Sequence, residues 1–255
     1  MYHGLKNIFK KILPSGWVKK AAPFVRKRVA WFYKGDKHLC PICETRLKKW
    51  VVNTNGYDLI CPACGSIQRK RLLWLYLEKE IHITTSAKRI LDFSPSPGLS
   101  QKLSKLLGPG YVPTDYGDAH SKNRFDITQL PLKENEFDLV FCYHVLEHIT
   151  DDKKAMSEIL RVLKPGGLLI AQVPFKTGET LEENWINTPQ LRTEQYGQHD
   201  HVRFYGKDDF VKRLEKTGFE VTVSEYSKQF HEKEINALGL NPIEVIFLCR
   251  KEAIK

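Results

Sequence analysis

Four of the six cysteines stand in two matched settings, Cys40-Pro-Ile-Cys43 and Cys61-Pro-Ala-Cys64, with seventeen residues between them. Two Cys-x-x-Cys turns at that separation deliver four thiolates to one tetrahedral Zn²⁺, with short apolar strands (residues 50–52 and 57–60) in between. Four sulfur ligands leave no position for water, so the ion is expected to be structural and to contribute folding energy. A redox role for either pair is the rival reading, and the presence of two matched pairs disfavours it. Cys142 and Cys249 lie in strand-like apolar runs and read as core. A second group of reactive side chains, Tyr143, His144, Glu147 and His148, follows one such run. A third lies in Tyr196-Gly-Gln-His199-Asp200-His201-Val-Arg203-Phe-Tyr205-Gly206, which holds two other histidines, an acid, an arginine and two tyrosines. Histidine titrates near neutrality, which makes His201 the best candidate for a general base. Arg203 reads as a contact to an anion or hydroxyl of a substrate, with His199 and Tyr205 beside it.

These groups need a scaffold, and the hydrophobic pattern supplies one. Phe137 to Tyr143 is short and nearly all apolar, as in a parallel strand covered on both faces. Asp151 and Asp152 can cap the helix that follows, and Ala155, Met156, Ile159, Leu160 and Leu163 give it one apolar stripe. Lys164-Pro165-Gly166-Gly167 is expected to end that helix and start a returning strand over 168–175, which completes a βαβ unit. Upstream, Arg89 to Ser94 reads as a strand, Leu99 to Leu107 as a helix, and Tyr111 to Thr114 as a second strand with Asp115 at its end. Residues 69–86 read as a connecting helix whose Arg69, Lys70 and Arg71 either touch an anionic substrate or are simply solvated. After a polar insertion at 176–206, taken as a substrate lid, Asp208 is expected to cap a helix that stops at Gly218. Residues 219–226 and 243–251 read as two closing strands.

The ordered set Asp126-Ile127-Thr128, Leu130-Pro131, Phe137-Asp-Leu-Val140, His144-Val-Leu-Glu147-His148-Ile149 and Leu163-Lys-Pro-Gly-Gly167 resembles the second half of class I S-adenosylmethionine-dependent methyltransferases. The resemblance implies an α/β fold with a doubly wound, mostly parallel, seven-stranded sheet. It also implies S-adenosylmethionine as cofactor, beside the structural Zn²⁺. In that family a loop with an acid and small residues at alternate positions lets the backbone approach the cofactor; here it is Asp92-Phe-Ser94-Pro-Ser96-Pro-Gly98. Two of the three glycine positions are serine, and Pro95 and Pro97 remove two backbone donors. Asp115, with Tyr116 next to it, corresponds to the acid that accepts the ribose hydroxyls, as after the second strand of dinucleotide sites. Asp126 corresponds to the carboxylate that meets the adenine amine, and Ile127 to the apolar residue on the ring. Tyr143 and His144 then stand near the sulfonium, where His144 positions the cofactor or accepts a proton from a hydroxyl nucleophile. The 176–206 segment is similar to one in bacterial methyltransferase-like proteins with an N-terminal zinc ribbon. The organisation expected is a basic helical arm (1–36), zinc ribbon (37–68), connecting helix (69–86) and methyltransferase domain (87–255).

The chain's net charge of +10 is concentrated at its start, since residues 1–35 carry nine Lys or Arg and no acid. Leu5, Ile8, Phe9, Ile12 and Leu13 mark one face of a helix there, and residues 24–33 mix Arg26, Lys27 and Arg28 with apolar side chains. Such an arm could lie on an anionic membrane, grip nucleic acid, or pack on the protein itself. No run approaches the roughly 20 apolar residues that span a bilayer, and a cytoplasmic protein, peripheral at the inner membrane face, is expected. The favoured reading is O- or N-methylation of a small molecule, sugar or membrane-associated glycan precursor. An RNA methyltransferase using ribbon and arm as its grip is the alternative. Against it, the fourth strand is not followed by an Asn-Pro-Pro-Tyr-like motif, nor does the large domain carry a Pro-Cys nucleophile. A non-catalytic scaffold is the third reading, and the retained Asp92, Asp115 and Asp126 speak against it.

Overall fold

The computed structural model describes residues 24–26, 28–53, 56–85 and 88–253. The expected helix over Gly4 to Leu13 lies outside them. In chain order the first elements are β1 (Lys34–Leu39), β2 (Arg46–Leu47), β3 (Val51–Val52), β4 (Leu59–Ile60), α1 (Gln68–Lys79), β5 (Ile90–Phe93), α2 (Pro97–Leu107) and β6 (Tyr111–Thr114). There follow β7 (Phe137–Tyr143), α3 (Asp152–Val162), β8 (Leu163–Gln172), β9 (Phe175–Lys176), α4 (Pro189–Tyr196), β10 (Tyr205–Gly206), α5 (Lys207–Thr217), β11 (Phe219–Ser224), α6 (Glu232–Leu238) and β12 (Ile246–Lys251). They form two compact units.

The first unit gathers three stretches of chain: the N-terminal part through α1, residues 96–108, and residues 225–244. β1 pairs antiparallel with β2, and β3 with β4, so the two apolar runs read from the sequence do form a ladder. Proline at the first position of α2 costs nothing, because that N–H has no helical partner. α1 buries Leu72, Leu73, Trp74, Leu75 and Leu77, and with them Arg71. The guanidinium of Arg71 donates to Ser66 O at 2.8 Å, to Leu59 O at 3.0 Å and through Nε to Gly239 O at 3.1 Å. Its other face stacks on Trp50 at 4.2 Å. Arg71 therefore does not meet a substrate: every contact it makes ties ribbon, helix and the 225–244 segment together.

Glu244, in the same unit, is half-buried with its Oε1 enclosed and unpartnered, and desolvation pushes its carboxyl up to about 6 despite Arg69 nearby and Asn241 Nδ2 at 3.1 Å. The folded state then holds this proton to higher pH than the unfolded chain does, so stability is greatest in acid and falls as pH rises toward 6. Glu244→Gln is expected to remove that loss. Its melting temperature should exceed wild type at pH 7.5, by an amount equivalent to about 2 kcal/mol, with the difference vanishing near pH 4. Scanning calorimetry at the two pH values measures it.

The second unit is built on a six-stranded sheet in the order β11-β12-β8-β7-β5-β6. The four strands β8, β7, β5 and β6 run parallel, and β12 enters antiparallel between β8 and β11. The parallel strands are buried on both faces, which is why Phe137 to Tyr143 reads as an apolar run rather than an alternation. Ala155, Met156, Ile159 and Val162 of α3 join one core with Phe210 and Leu214 of α5. Asp151 caps α3 by accepting from Lys154 N at 3.0 Å, whereas Asp152 is buried.

Three local expectations are corrected. The helix stops at Val162, and β8 already begins at Leu163, because Lys251 Nζ reaches in to take Leu160 O and Leu163 O at 2.9 and 2.7 Å. α5 is preceded by Gly206 at its cap, with Asp208 inside the first turn. The sheet has six strands among the described residues, not seven. Pro113 in the outermost strand β6 has no N–H for a further ladder, and the adjoining segment attaches through side chains instead. Asn123 Nδ2 donates to Pro113 O at 2.9 Å, and Phe125 N donates to Thr114 Oγ1 at 3.1 Å.

Candidate active site and metal centre

The four-cysteine centre lies wholly in the first unit. Each knuckle makes the same pair of backbone bonds: Cys40 N to Thr45 O and Glu44 N to Cys40 O in one, Cys61 N to Ser66 O and Gly65 N to Cys61 O in the other. Both turns need a left-handed residue after the second cysteine, met by Glu44 (φ 59°) and Gly65 (φ 77°). The four Sγ atoms converge within 4.8 Å, and Cys40–Cys64 and Cys43–Cys61 are each 3.7 Å apart. Sulfurs around tetrahedral zinc at about 2.3 Å stand roughly 3.8 Å from one another, so the set fits the ion. Contact with Cys43, Cys61 and Cys64 drives the Cys40 thiol far down, and the thiolate so formed drives Cys61 and Cys64 far up. Only a cation lets all four be thiolates together. Ser66 Oγ sits 3.4 and 3.2 Å from the sulfurs of Cys40 and Cys64 and can donate to either. A Cβ placed on Gly98, at the start of α2, would stand 2.9 Å from Cys64 Cβ and 3.0 Å from its Sγ. The bareness of Gly98, expected on behalf of the cofactor, is required by the cysteine knuckle. Ser96 belongs to the same unit as the residue before α2, and its side chain makes no capping bond there.

In the second unit the expected cofactor residues collect at the carboxyl ends of neighbouring parallel strands. Asp92 of β5 is buried and accepts the Tyr111 hydroxyl at 2.6 Å. Ser94 takes φ 51°, the left-handed region a glycine would occupy, and its N–H donates to Thr114 O at 2.9 Å. The backbone thus keeps a glycine-like path although the residue is serine. Asp115 follows β6, its Oδ1 accepting from Asp118 N at 3.2 Å. Tyr116 beside it is exposed, with the Arg124 guanidinium 5.8 Å from its ring. Asp126 is exposed and accepts from Thr128 N and Thr128 Oγ1 at 2.8 and 2.7 Å, bonds that hold its carboxyl below the usual range. Ile127 is buried in the core cluster that also holds Leu130 and Leu146. At the end of β7, Tyr143 is buried and His144 is left-handed (φ 57°). His144 contacts Gln172 Oε1 through Nε2 at 2.9 Å and Glu147 Oε1 through Nδ1 at 3.1 Å.

In the 176–206 insertion the short β9 and β10 pair in parallel at its two ends, Leu181 bridges Phe204, and α4 is capped by Thr188. Two of its expected substrate contacts are structural. Arg203 is buried, donating to Leu146 O at 3.1 Å, Thr150 O at 2.8 Å, Ile149 O and Glu182 Oε1. Tyr205 is buried and donates to Asp152 Oδ2 at 2.7 Å. Neither has a group left for a substrate. His199 is 70% exposed on its side chain, 3.9 Å from Asp200 Oδ1. His201 is buried, donates from Nδ1 to Tyr196 O at 3.0 Å and packs edge-on to His148, centroids 4.7 Å apart. A base role expects an imidazole open to substrate, and this one is turned into the protein. The sequence does not single out Glu182 and the buried Asp152 as the acids that neutralise Arg203 and Arg213.

Comparison with known proteins agrees with this layout. Residues 85–171 match the methyltransferase domain family. An uncharacterized protein of Methanocaldococcus jannaschii is 48% identical over 99 residues, which is 39% of this chain and 37% of that protein. The ubiquinone/menaquinone biosynthesis C-methyltransferase UbiE of Pseudomonas putida is 31% identical over 135 residues, 45% of this chain and 52% of that one. The chain thus spans about half or less of the curated relatives it matches. A crystal structure of an S-adenosylmethionine dependent methyltransferase from Mesorhizobium loti superposes with a TM-score of 0.50 at 14% identity, covering 71% of this chain and 98% of that one, a likeness of fold. The matched segment, the mixed and mostly parallel sheet, and the acids at its carboxyl edge together mean that residues 85–171 belong to the class I S-adenosylmethionine-dependent methyltransferases, preceded in this chain by a four-cysteine cluster consistent with a zinc ribbon.

Proposed function

We propose that the chain transfers the methyl group of S-adenosylmethionine to a hydroxyl or amine of a small-molecule acceptor. The observation that carries this is Asp115, at the carboxyl end of β6 beside the ends of β5 and β7, where open α/β sheets take their ligands. Its Oδ1 accepts one backbone N–H, and a carboxylate has capacity left for two ribose hydroxyls. The cofactor would supply an electrophilic methyl group on a sulfonium. The chain's part is to hold that group and align the acceptor, which is where most of the rate comes from in a displacement of this kind. His144, fixed between Gln172 and Glu147, is a positioning residue at the strand end. Asp92, Ser94, Asp126 and Tyr143 complete the proposed cofactor contacts in this unit. Relatives named for ubiquinone/menaquinone biosynthesis and for sterol methylation support a small-molecule acceptor. The finer form of the reading, a sugar or membrane-associated glycan precursor, rests on the basic residues of 1–35, most of which lie outside the described residues.

Calorimetric titration of zinc-loaded protein with S-adenosylmethionine and with its demethylated product tests the reading. Asp115→Ala is expected to weaken both by roughly 100-fold, because hydrogen bonds to a charged acceptor contribute about 1.5–3 kcal/mol each. Well-folded wild-type protein that binds neither would overturn it and leave the scaffold reading.

A further inference from the structure

Glu147, His148 and His201 each offer one ligand atom within 4.8 Å of the others. We propose that these three residues form a second metal centre, for a divalent first-row transition ion such as Zn²⁺, Mn²⁺ or Co²⁺, separate from the four cysteines. Three features of the second unit carry the proposal.

The first is a buried acid with nothing to neutralise part of it. Glu147 is 1% exposed, and its Oε2 has no hydrogen-bond partner, while Oε1 lies 3.1 Å from His144 Nδ1. A buried carboxylate in that condition is costly unless a cation joins it. The second is the tautomer of each histidine. The Nδ1–H of His201 donates to Tyr196 O, and Nδ1 of His148 faces Asp200 Oδ2 at 3.3 Å. Both rings therefore present a bare Nε2, the arrangement in which a carbonyl or carboxylate orients an imidazole toward a metal. The third is rigidity. Glu147 and His148 share the short 3₁₀ turn Leu146–His148, and His201 comes from the insertion. Val202 N donates to Glu147 O at 2.8 Å, and Arg203 takes the carbonyls of Leu146, Ile149 and Thr150. The two loops are thus stitched together immediately beside all three ligands.

Two imidazoles and a carboxylate suit zinc, manganese or cobalt, and three protein ligands leave coordination positions open for water or for an oxygen of an acceptor. Ligand atoms around such an ion stand roughly 3–3.5 Å apart, so a shift on the order of 1 Å closes the set. His148, 28% exposed on its side chain, is the ligand that solvent reaches.

The test counts metal, with no methyl donor present, so its failure is distinct from failure of the methyl-transfer reading. Full-length protein is exposed in turn to Zn²⁺, Mn²⁺ and Co²⁺, freed of excess and analysed for bound metal. Two equivalents per chain are expected with at least one ion. With Co²⁺, one equivalent should show the intense thiolate charge-transfer bands of the cysteine site and the other only weak d–d bands. His148→Gln, at the exposed ligand, is expected to lose the second equivalent and keep the first with its charge-transfer spectrum. One equivalent with every ion, or a second equivalent that survives in both His148→Gln and Glu147→Gln, would overturn the proposal.

Discussion

Withdrawing zinc from the four cysteines is expected to unfold the first unit. Structural zinc of this type contributes about 10–16 kcal/mol of apparent binding free energy at neutral pH, more than the whole stability of most domains. What remains after removal is four thiols within 4.8 Å, two of them buried, at the centre of two very short ladders. The effect should pass into α2, since Gly98 lies on Cys64 and Lys102 Nζ pairs with Glu44 Oε1 at 2.9 Å. Treatment with a strong chelator should therefore lower helical circular dichroism and expose the tryptophans of this unit, Trp50 and Trp74, to quenchers. Cys64→Ser should do the same without chelator. Retention of the native fluorescence and helicity by metal-free protein would show that the ribbon holds without its ion.

The second large effect is expected from Arg203→Ala. Wild-type Arg203 has a side chain 1% exposed and joins the acid Glu182 to three carbonyls of the 146–150 loop. Arg213 completes the network, pairing with Asp152 at 2.8 Å and Glu182 at 2.7 Å. Removing the guanidinium takes one of two cations from Glu182 and leaves the carbonyls of Leu146, Ile149 and Thr150 without it, at about 1–3 kcal/mol for each buried acceptor left unpaired. A fall in melting temperature of about 10 °C follows for a unit of this size. Arg203→Lys keeps the charge but not the fork that reaches several oxygens, so it should recover only part of the loss. A variant within 1–2 °C of wild type in thermal denaturation would contradict this account.

The parallel strands, α3 and the paired cysteine turns were legible because each rests on a local signal: an apolar run, a 3.6-residue stripe, or ligand spacing. Pro113 is equally local, yet its effect, that no strand among the described residues pairs outside β6, emerges only once β6 is known to be the sheet's edge. Arg71, Arg203 and Tyr205 misled for a different reason. A charged or hydroxyl side chain among polar neighbours looks available for substrate, and whether it is depends on carbonyls and acids that include some far along the chain, 54 residues away for Arg203 and Ile149. Gly98 has a second reason to lack a side chain that its own neighbourhood in sequence does not show, since the residue that crowds it is a cysteine 34 positions earlier. His144 and Asp115 are placed by position in a topology, which fixes where a residue stands but not which way its side chain turns.

The 225–244 segment adds a matter of timing. Arg71 Nε finds its acceptor in Gly239 O, Trp50 Nε1 finds one in Asn236 O at 3.5 Å, and a Cβ on Gly239 would come within 2.5 Å of the Trp50 ring. The cysteine ribbon is synthesised early and these partners late, more than 160 residues further on. During translation the ribbon can take up its ion while Arg71 still lacks a lid. The unit closes only after the strands from β5 to β11 have emerged, which makes the last helix of the chain the latch on its first module.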